Sequence, residues 1–572
     1  MGTAANIRTP ADVCTYVTLM RASRDASNIW PMTTIAADVA ATDSGRLSVL
    51  RARLVAPMPR DGIWGWVWPL LVTAFGGFLR FNRLAVPRAL IFDETYYVKD
   101  AWSILHHGTE WVLAPNANSL IQAGNTNIFA ACPHAMYVGD QCGEYVVQPE
   151  LGKEIIAVGE AMFGLNSFGW RFMSAVFGTL AILLICRIAR RMTRSTLLGC
   201  VAGLLMSLDG LEFVLSRTGI LDIFLMFFVL AAFGCMVVDR DVARERLAAL
   251  VAAGPVDETG PQLGIRKWRV WAGVFVGLAI AVKWNAVFYL LALAILGTCW
   301  DVGARRAAGL RSYFLGTFLR DVIWLPLTYL LIPLVVYVAT WSDWLISSTG
   351  YMRNYAVTHG VNIPVISALY SLFEYHKVAI QFGMGLKTPH PYQSQPWDWL
   401  LMTRPVAFFY ECYTGPIPGP SHYCPKNATG VQYSQEVLAI GTPAIWWASI
   451  LALIVCAGWW LLYRDWRAGA ALCGVIAGWL PWFPLVSRTK FFYYSLEFEP
   501  FLILAITLCL GLIIGRASAS LLRRAFGAGV AGAFLLIVLF MFHYFYPILA
   551  GKVIPYSDWY AHMWYKIGRG WI

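Results

Sequence analysis

A chain of 572 residues that is 58% hydrophobic and only 13% charged excludes a soluble enzyme carried on a single anchor. Its 26 Trp residues fit the interfacial belts of a multi-pass membrane protein. The formal net charge of +11 does not point to nucleic acid, because the basic residues cluster between apolar stretches, where they set orientation.

Residues 1–62 are mixed polar sequence with Arg46, Arg51, Arg53 and Arg60, and read as a cytoplasmic, partly disordered tail. Basic clusters then recur at Arg187–Arg194, between Asp239 and Arg269, at Arg305–Arg320, at Arg464 and Arg467, and at Arg516–Arg524. Each is placed on the inner side. A helical span needs roughly 20 mainly apolar residues. Spans are therefore predicted at about 63–82, 166–186, 197–210 and 218–238, with a fifth and sixth sharing about 270–300. Five more follow at about 322–340, 441–462, 468–486, 497–515 and 527–546. The expected fold is an all-α polytopic membrane protein with about eleven transmembrane helices. Its N-terminus is inside, its spanning domain covers 63–546, and a short tail, 547–572, lies outside.

Two long outer segments result, about 83–165 and 341–440. Within the first, Phe92–Gly108 alternates aromatic and charged residues at helical spacing and predicts a helix lying on the membrane surface. The second is rich in Trp, Tyr, Pro and His and predicts a folded layer resting on the membrane. Cys132 and Cys142 share the first segment, and Cys412 and Cys424 the second. On an oxidising face these read as two local disulfides; unpaired loop thiols are the plainer alternative.

Ionisable groups near lipid are costly and usually functional. The acidic pair Asp93-Glu94 stands just past the first span. Arg80 ends that span, Arg171 opens the second, and Asp209, Glu212, Arg217 and Asp222 cross from the third to the fourth. Lys283 lies between the fifth and sixth, and Arg488 and Lys490 between the ninth and tenth. All map to the outer side, where cations oppose the positive-inside rule. They predict a site for an anionic, membrane-held ligand such as a polyprenyl phosphate headgroup. A purely structural reading also stands, in which Arg217 pairs with Asp209 or Asp222 and joins two spans.

The ordered series Phe92-Asp-Glu94, Gln148-Pro-Glu-Leu-Gly-Lys153, Trp170-Arg-Phe172, Leu208-Asp-Gly210, Ser216-Arg217, Leu221-Asp222, Val282-Lys-Trp284, His390-Pro-Tyr-Gln-Ser-Gln-Pro-Trp397, Thr403-Arg-Pro405 and Arg488-Thr489 with Phe491-Phe-Tyr-Tyr494 resembles the protein O-mannosyltransferase family in its actinobacterial form. The resemblance spans roughly 65–572. It implies the membrane glycosyltransferase architecture called GT-C, with surface helices in the first outer loop. It also implies transfer of mannose from polyprenyl-phosphate-mannose to Ser or Thr of exported polypeptides. Two departures stand out. Gln148-Pro149-Glu150 replaces a His-Pro-Pro pattern, so no histidine role carries over there. Between His359 and Glu436 there is no room for the soluble repeat domain of eukaryotic relatives.

The leaving group is then already a phosphate, so the enzyme must hold it and deprotonate a hydroxyl. Asp93, with or without Glu94, is the expected general base, and a single base implies inversion at the anomeric carbon. Arg80, Arg171 and Arg217, then Arg488 and more weakly Lys283, are expected to bind the donor phosphate. Asp209 and Asp222 are further candidates for contacts with sugar or acceptor, and His390 and Trp397 for an acceptor groove. No metal-ligand spacing is present, and metal-independent chemistry without a cofactor is expected. Membrane lipid, exported polypeptides and the protein translocation channel are the expected partners. Two rival readings are a polyprenyl-phosphate-sugar transferase acting on lipid or cell-wall glycan, and a lipid-linked-sugar transporter.

Overall fold

The computed structural model describes residues 43–132, 142–322, 324–417, 431–516, 518–566 and 570–571. Every one of the eleven apolar segments is occupied by a helix. Helices α1 Asp43–Leu54, α2 Trp64–Phe81, α3 Glu94–His107, α4 Leu151–Phe163, α5 Ser167–Thr193, α6 Thr196–Ser207, α7 Gly210–Leu215 and α8 Asp222–Ala252 come first. They are followed by α9 Lys267–Val282, α10 Val287–Ala307, α11 Ile366–Gly385, α12 Pro443–Tyr463, α13 Trp466–Trp479, α14 Glu499–Ile514 and α15 Leu521–Leu549. Five described helices are individually long and apolar enough to cross a membrane, or six if the bent pair Tyr313–Arg320 and Trp324–Ala339 counts as one span. The rest are shorter. At about 1.5 Å per residue, the 12 residues of α6 fall well short of a roughly 30 Å hydrocarbon core.

Local chemistry sets the boundaries. Asn166 caps α5 by accepting from the backbone N–H of Phe168 and Gly169, both at 3.1 Å. Ser195 caps α6 through Leu198 N–H at 3.3 Å. The fifth and sixth predicted spans are longer than their allotment, and the break between them falls at Lys283, whose backbone is extended (φ −151°, ψ 137°). Helix α8 forms the centre, with 83% of its apolar window buried, whereas α15 has 22% and lies at the periphery. Gly76 lets α2 approach α5 and α6. A Cβ there would lie 2.3 Å from Ile182 Cδ1 and 2.6 Å from Ser207 Oγ.

Three features add to the expected plan. Residues 43–61 are not a free tail. Leu54 is buried, its carbonyl accepts from Arg244 Nη1 at 3.2 Å, and Asp61 pairs with Arg190 at 2.6 Å. Residues 1–42 of the expected, partly disordered tail lie outside the described residues, Cys14 among them. The described part of the expected tail, 547–566 and 570–571, packs on the rest of the protein. Helix α15 runs on to Leu549, β3 Val553–Pro555 joins a sheet, and Trp571 is buried with its indole N–H donating to Met402 O at 2.7 Å. Finally, the mostly helical fold carries a small sheet. Strands β1 Val406–Tyr413, β2 Tyr433–Ala439 and β3 form an antiparallel sheet in the order β1-β2-β3.

A helix forms over the predicted Phe92–Gly108 segment as α3, closed by Gly108 at φ 74°, the left-handed residue that commonly ends a helix. Cys132 and Cys142 form a disulfide. Cys424 lies outside the described residues, and with it the second expected pair.

Candidate active site

The segment that joins α2 to α3 is built around two arginines. Arg171, fully buried, donates from Nε and Nη2 to the two carboxylate oxygens of Glu94 at 2.7 and 2.8 Å. Its Nη1 donates to Pro87 O at 2.9 Å and Leu84 O at 3.3 Å, and Nη2 also reaches Ala89 O at 2.9 Å. Arg217 donates from Nη1 to the carbonyls of Arg80 and Asn82 at 2.7 and 2.6 Å, and from Nη2 to Arg83 O at 3.0 Å. Together they gather inward-turned carbonyls across residues 80–89 and satisfy groups that burial would otherwise orphan. Arg80, also fully buried, pairs with Glu212 and donates to Gly76 O at 2.9 Å and Met206 O at 3.1 Å.

The sequence expectation for those residues is binding of the donor phosphate; here their donors face the protein. The guanidiniums of Arg171 and Arg217, and Nη1 and Nη2 of Arg80, are turned to buried protein acceptors, while Arg80 Nε has no partner among the described residues, so in this structure the three shape the loop. Glu94 is fully buried, and it also accepts from the N–H of Gly219 at 2.8 Å and Ile91 at 3.0 Å. A carboxylate held by four donors has no spare lone pair for an acceptor proton. Asp209 is likewise engaged: Oδ1 caps α7 through Leu211 N–H at 2.8 Å, and Oδ2 accepts from Thr442 N–H at 3.1 Å and the Trp446 indole at 2.9 Å.

Asp93 differs from its neighbour. It is half-buried, and its Oδ2 accepts from the Tyr493 hydroxyl at 3.1 Å. Among the described residues, its Oδ1 accepts no hydrogen bond. The residue before it, Phe92, has φ +46°, a region that bulky side chains rarely enter and that clusters at functional sites. Packing holds it there. The Phe92 ring stacks on Phe408 at 4.6 Å and meets Tyr493 at 5.5 Å and Phe491 at 6.0 Å. Phe408 reaches it from a bulge in β1, where the register shifts between Ala407 and Phe409.

Around Asp93 lies a second set of groups. Asp222, at the start of α8, accepts from Lys283 Nζ at 2.8 Å. Lys283 in turn sits 5.6 Å from the centre of the Tyr494 ring. Tyr493, which donates to Asp93, packs its ring on Tyr494 at 4.9 Å, so Asp93, Lys283 and Asp222 are linked through this tyrosine pair. Burial pushes the Asp93 carboxyl up to about 6, and Asp222 adds to that push, while Lys283 and the Tyr493 hydroxyl pull it back. Arg488 is half-buried. Its Nε donates to Gly383 O at 3.0 Å and its Nη1 to Thr489 O at 3.4 Å, while Nη2 has no protein acceptor among the described residues.

The two halves of the outer-loop motif part company. His390 is half-buried, with its ring edge-on to Phe491 at 5.0 Å, and its Nδ1 accepts from Tyr392 N–H at 3.2 Å. That places it against the aromatic wall of the Asp93 cluster. Trp397 is 51% exposed and rests on Phe483 at 6.4 Å, apart from that wall. The segment is tied to the 487–494 loop through Ser394 N–H to Lys490 O at 2.9 Å and Thr489 Oγ1 to Thr388 O at 2.6 Å. The sequence motif Phe491-Phe-Tyr-Tyr494 includes Tyr493 and Tyr494 but assigns them no role, and Tyr97 belongs to none of the motifs. The signal was the run of aromatics directly after Arg488-Thr489-Lys490. Among the described residues, no group of three or more His, Cys, Asp or Glu is arranged to hold a metal ion.

Comparison with known proteins fits this geometry. Residues 70–342 match the family described as dolichyl-phosphate-mannose-protein mannosyltransferase, and residues 368–567 match the C-terminal four-helix membrane region of protein O-mannosyltransferase. A polyprenol-phosphate-mannose–protein mannosyltransferase of Mycobacterium tuberculosis is 38% identical over 523 residues, covering 88% of this chain and 92% of the relative. The enzyme of the same name from Corynebacterium glutamicum is 30% identical over 548 residues, covering 92% and 98%. The S. cerevisiae protein O-mannosyltransferase complex bound to the sugar donor has the same fold, with a TM-score of 0.65, 14% identity, and 92% and 94% of the two chains covered.

Proposed function

The chain belongs to the protein O-mannosyltransferase family, and from that premise we propose that it moves mannose from polyprenyl-phosphate-mannose to Ser or Thr hydroxyls of exported polypeptides. Asp93 is the general base. One observation carries this assignment: of the two adjacent carboxylates, only Asp93 is open to solvent with an oxygen that accepts no hydrogen bond among the described residues. The acceptor oxygen attacks the anomeric carbon and its proton passes to Asp93. The bond from that carbon to the phosphate oxygen breaks, and polyprenyl phosphate leaves with both electrons. A single displacement inverts the centre.

Lys283 and Arg488 take the donor phosphate. Among the described residues, Lys283 Nζ donates to Asp222 alone and Arg488 Nη2 has no protein acceptor, and Lys283 lies over the Tyr494 ring. Phosphate is a good leaving group at neutral pH, so the chemistry needs no metal. Asp222 holds Lys283 in place, and His390 lines the acceptor side. The chain spans the cytoplasmic membrane with its N-terminus inside, and the Asp93 end faces out, where the translocation channel delivers unfolded acceptors. The spanning domain is 63–546, with catalytic outer segments 83–165 and 341–440.

The test uses membranes containing the protein, polyprenyl-phosphate-mannose carrying labelled mannose, and a Ser/Thr/Pro/Ala-rich peptide. Label is expected on the peptide, unchanged by a metal chelator and abolished by Asp93→Asn. Label on glycolipid alone would assign the enzyme to glycan synthesis instead. Normal peptide transfer by Asp93→Asn would overturn the base.

A further inference from the structure

Asp93 has no cap bond to its own helix, and its neighbours on either side are fixed by other means. Phe92 is clamped between rings and Glu94 is bound by Arg171. The side-chain rotation of Asp93 is therefore left to one contact, the Tyr493 hydroxyl. Tyr493 itself is immobile. It is 2% exposed, and its ring touches Phe92 and Phe408 at 5.5 Å, Phe491 at 5.7 Å and Tyr494 at 4.9 Å. A hydroxyl on a ring packed on four sides is aimed before any substrate arrives, which is how a positioned base saves the cost of ordering it.

We propose that Tyr493 is the positioning residue for the base: by donating to Oδ2 it fixes the Asp93 carboxylate so that Oδ1 receives the acceptor proton. This rests on the reading of Asp93 as general base. The contact has a second consequence. Five groups face this carboxyl: Tyr97 from its own helix, Asp222 and Lys283 from α8 and the α9–α10 break, and Tyr493 and Tyr494 from the 487–494 loop and the 3₁₀ turn it leads into. Of these, Lys283 and Tyr493 favour the ionised form. Lys283 is committed to Asp222 at 2.8 Å, so Tyr493 is the group that touches the base directly.

Tyr493→Phe keeps the ring and removes only the hydroxyl, so its packing partners are retained. In the full-length protein in membranes, kcat/KM is followed against pH. The expected result is an acid limb displaced to higher pH. The rate should fall about tenfold at pH 6 and recover to within about threefold of the unaltered protein at pH 8. KM values for both substrates should stay unchanged while kcat falls. A merely structural tyrosine would lower the rate equally at every pH. An acid limb that does not move in Tyr493→Phe overturns the proposal, provided Asp93→Asn is inactive. If Asp93→Asn is active, the base assignment itself fails, so the two failures are told apart. A further check is the double variant: it should be no slower than Asp93→Asn alone, because the tyrosine acts only through that carboxylate. Additive losses would also overturn it.

Discussion

Arg171 grips Glu94 through both carboxylate oxygens, at 2.7 Å from Nε and 2.8 Å from Nη2, with neither side chain exposed. Adjacent residues Asp93 and Glu94 thus have opposite fates. The helix start that exposes one carboxylate turns the next into the protein, where it also ties down Gly219. Breaking a buried ion pair by removing one partner costs about 3–5 kcal/mol, because the other charge is left uncompensated. Arg171→Ala and Glu94→Ala are therefore expected to lower thermal stability in detergent and the amount of protein in the membrane. Whatever protein folds should show similar losses for donor and acceptor use. A selective rise in donor KM for Arg171→Ala would return that arginine to the phosphate.

Asp93→Asn is expected to behave in the opposite way. The residue is half-buried and makes one hydrogen bond through Oδ2, so the protein should fold and melt as before. Transfer should fall by about 10²–10⁴, the usual worth of a general base. Thermal melting and mannosyl transfer measured on the same preparation separate the two outcomes.

The pH profile follows from the same site. Asp93 must be ionised to accept a proton, and its carboxyl is held near about 6. Its folded value is raised, so activity should be present above that pH and be lost as pH falls through it. Asp222 pushes this carboxyl up and Lys283 pulls it down. Asp222→Asn is therefore expected to shift the acid limb to lower pH, both by removing a negative neighbour and by freeing Lys283. Lys283→Met should shift it to higher pH. Shifts in the reverse directions would place the titrating group elsewhere.

The placement of the helices was legible because long apolar runs separated by arginines leave few arrangements. The sheet was not. Strand β2 is buried at nearly every position, so it lacks the polar alternation that announces a half-exposed strand. The rim of cations was legible as a set, but its members were not. Arg80, Arg171 and Arg217 owe their roles to carbonyls across 76–89 that turn inward, and nothing in a side-chain sequence displays where a backbone carbonyl points. Tyr493 and Tyr494 stood in a motif of the sequence, but their role was hidden by abundance. In a chain with 26 Tyr and 32 Phe, an aromatic pair carries little signal until the packing singles it out.

Arg488 gives the sharpest test of how the donor is held. It is half-buried, leans over Trp482 at 5.4 Å, and presents Nη2 without a protein acceptor among the described residues. Its backbone neighbours fix the loop independently, through Thr489 N–H to Leu386 O at 3.1 Å and Lys490 Nζ to Leu485 O at 2.6 Å. Removing the guanidinium should therefore leave the loop standing. Arg488→Ala is expected to raise KM for polyprenyl-phosphate-mannose about tenfold, with acceptor KM nearly unchanged, since charge-assisted bonds to phosphate are worth about 1.5–3 kcal/mol. Arg488→Lys should restore only part of the loss, because an ammonium cannot reproduce a two-point contact. Arg217→Ala is the contrast. Its donors serve carbonyls from Leu79 to Arg83, so it should lose stability with no preference between substrates. Donor-selective damage from Arg217→Ala combined with no effect from Arg488→Ala would move the phosphate to the other side of Asp93.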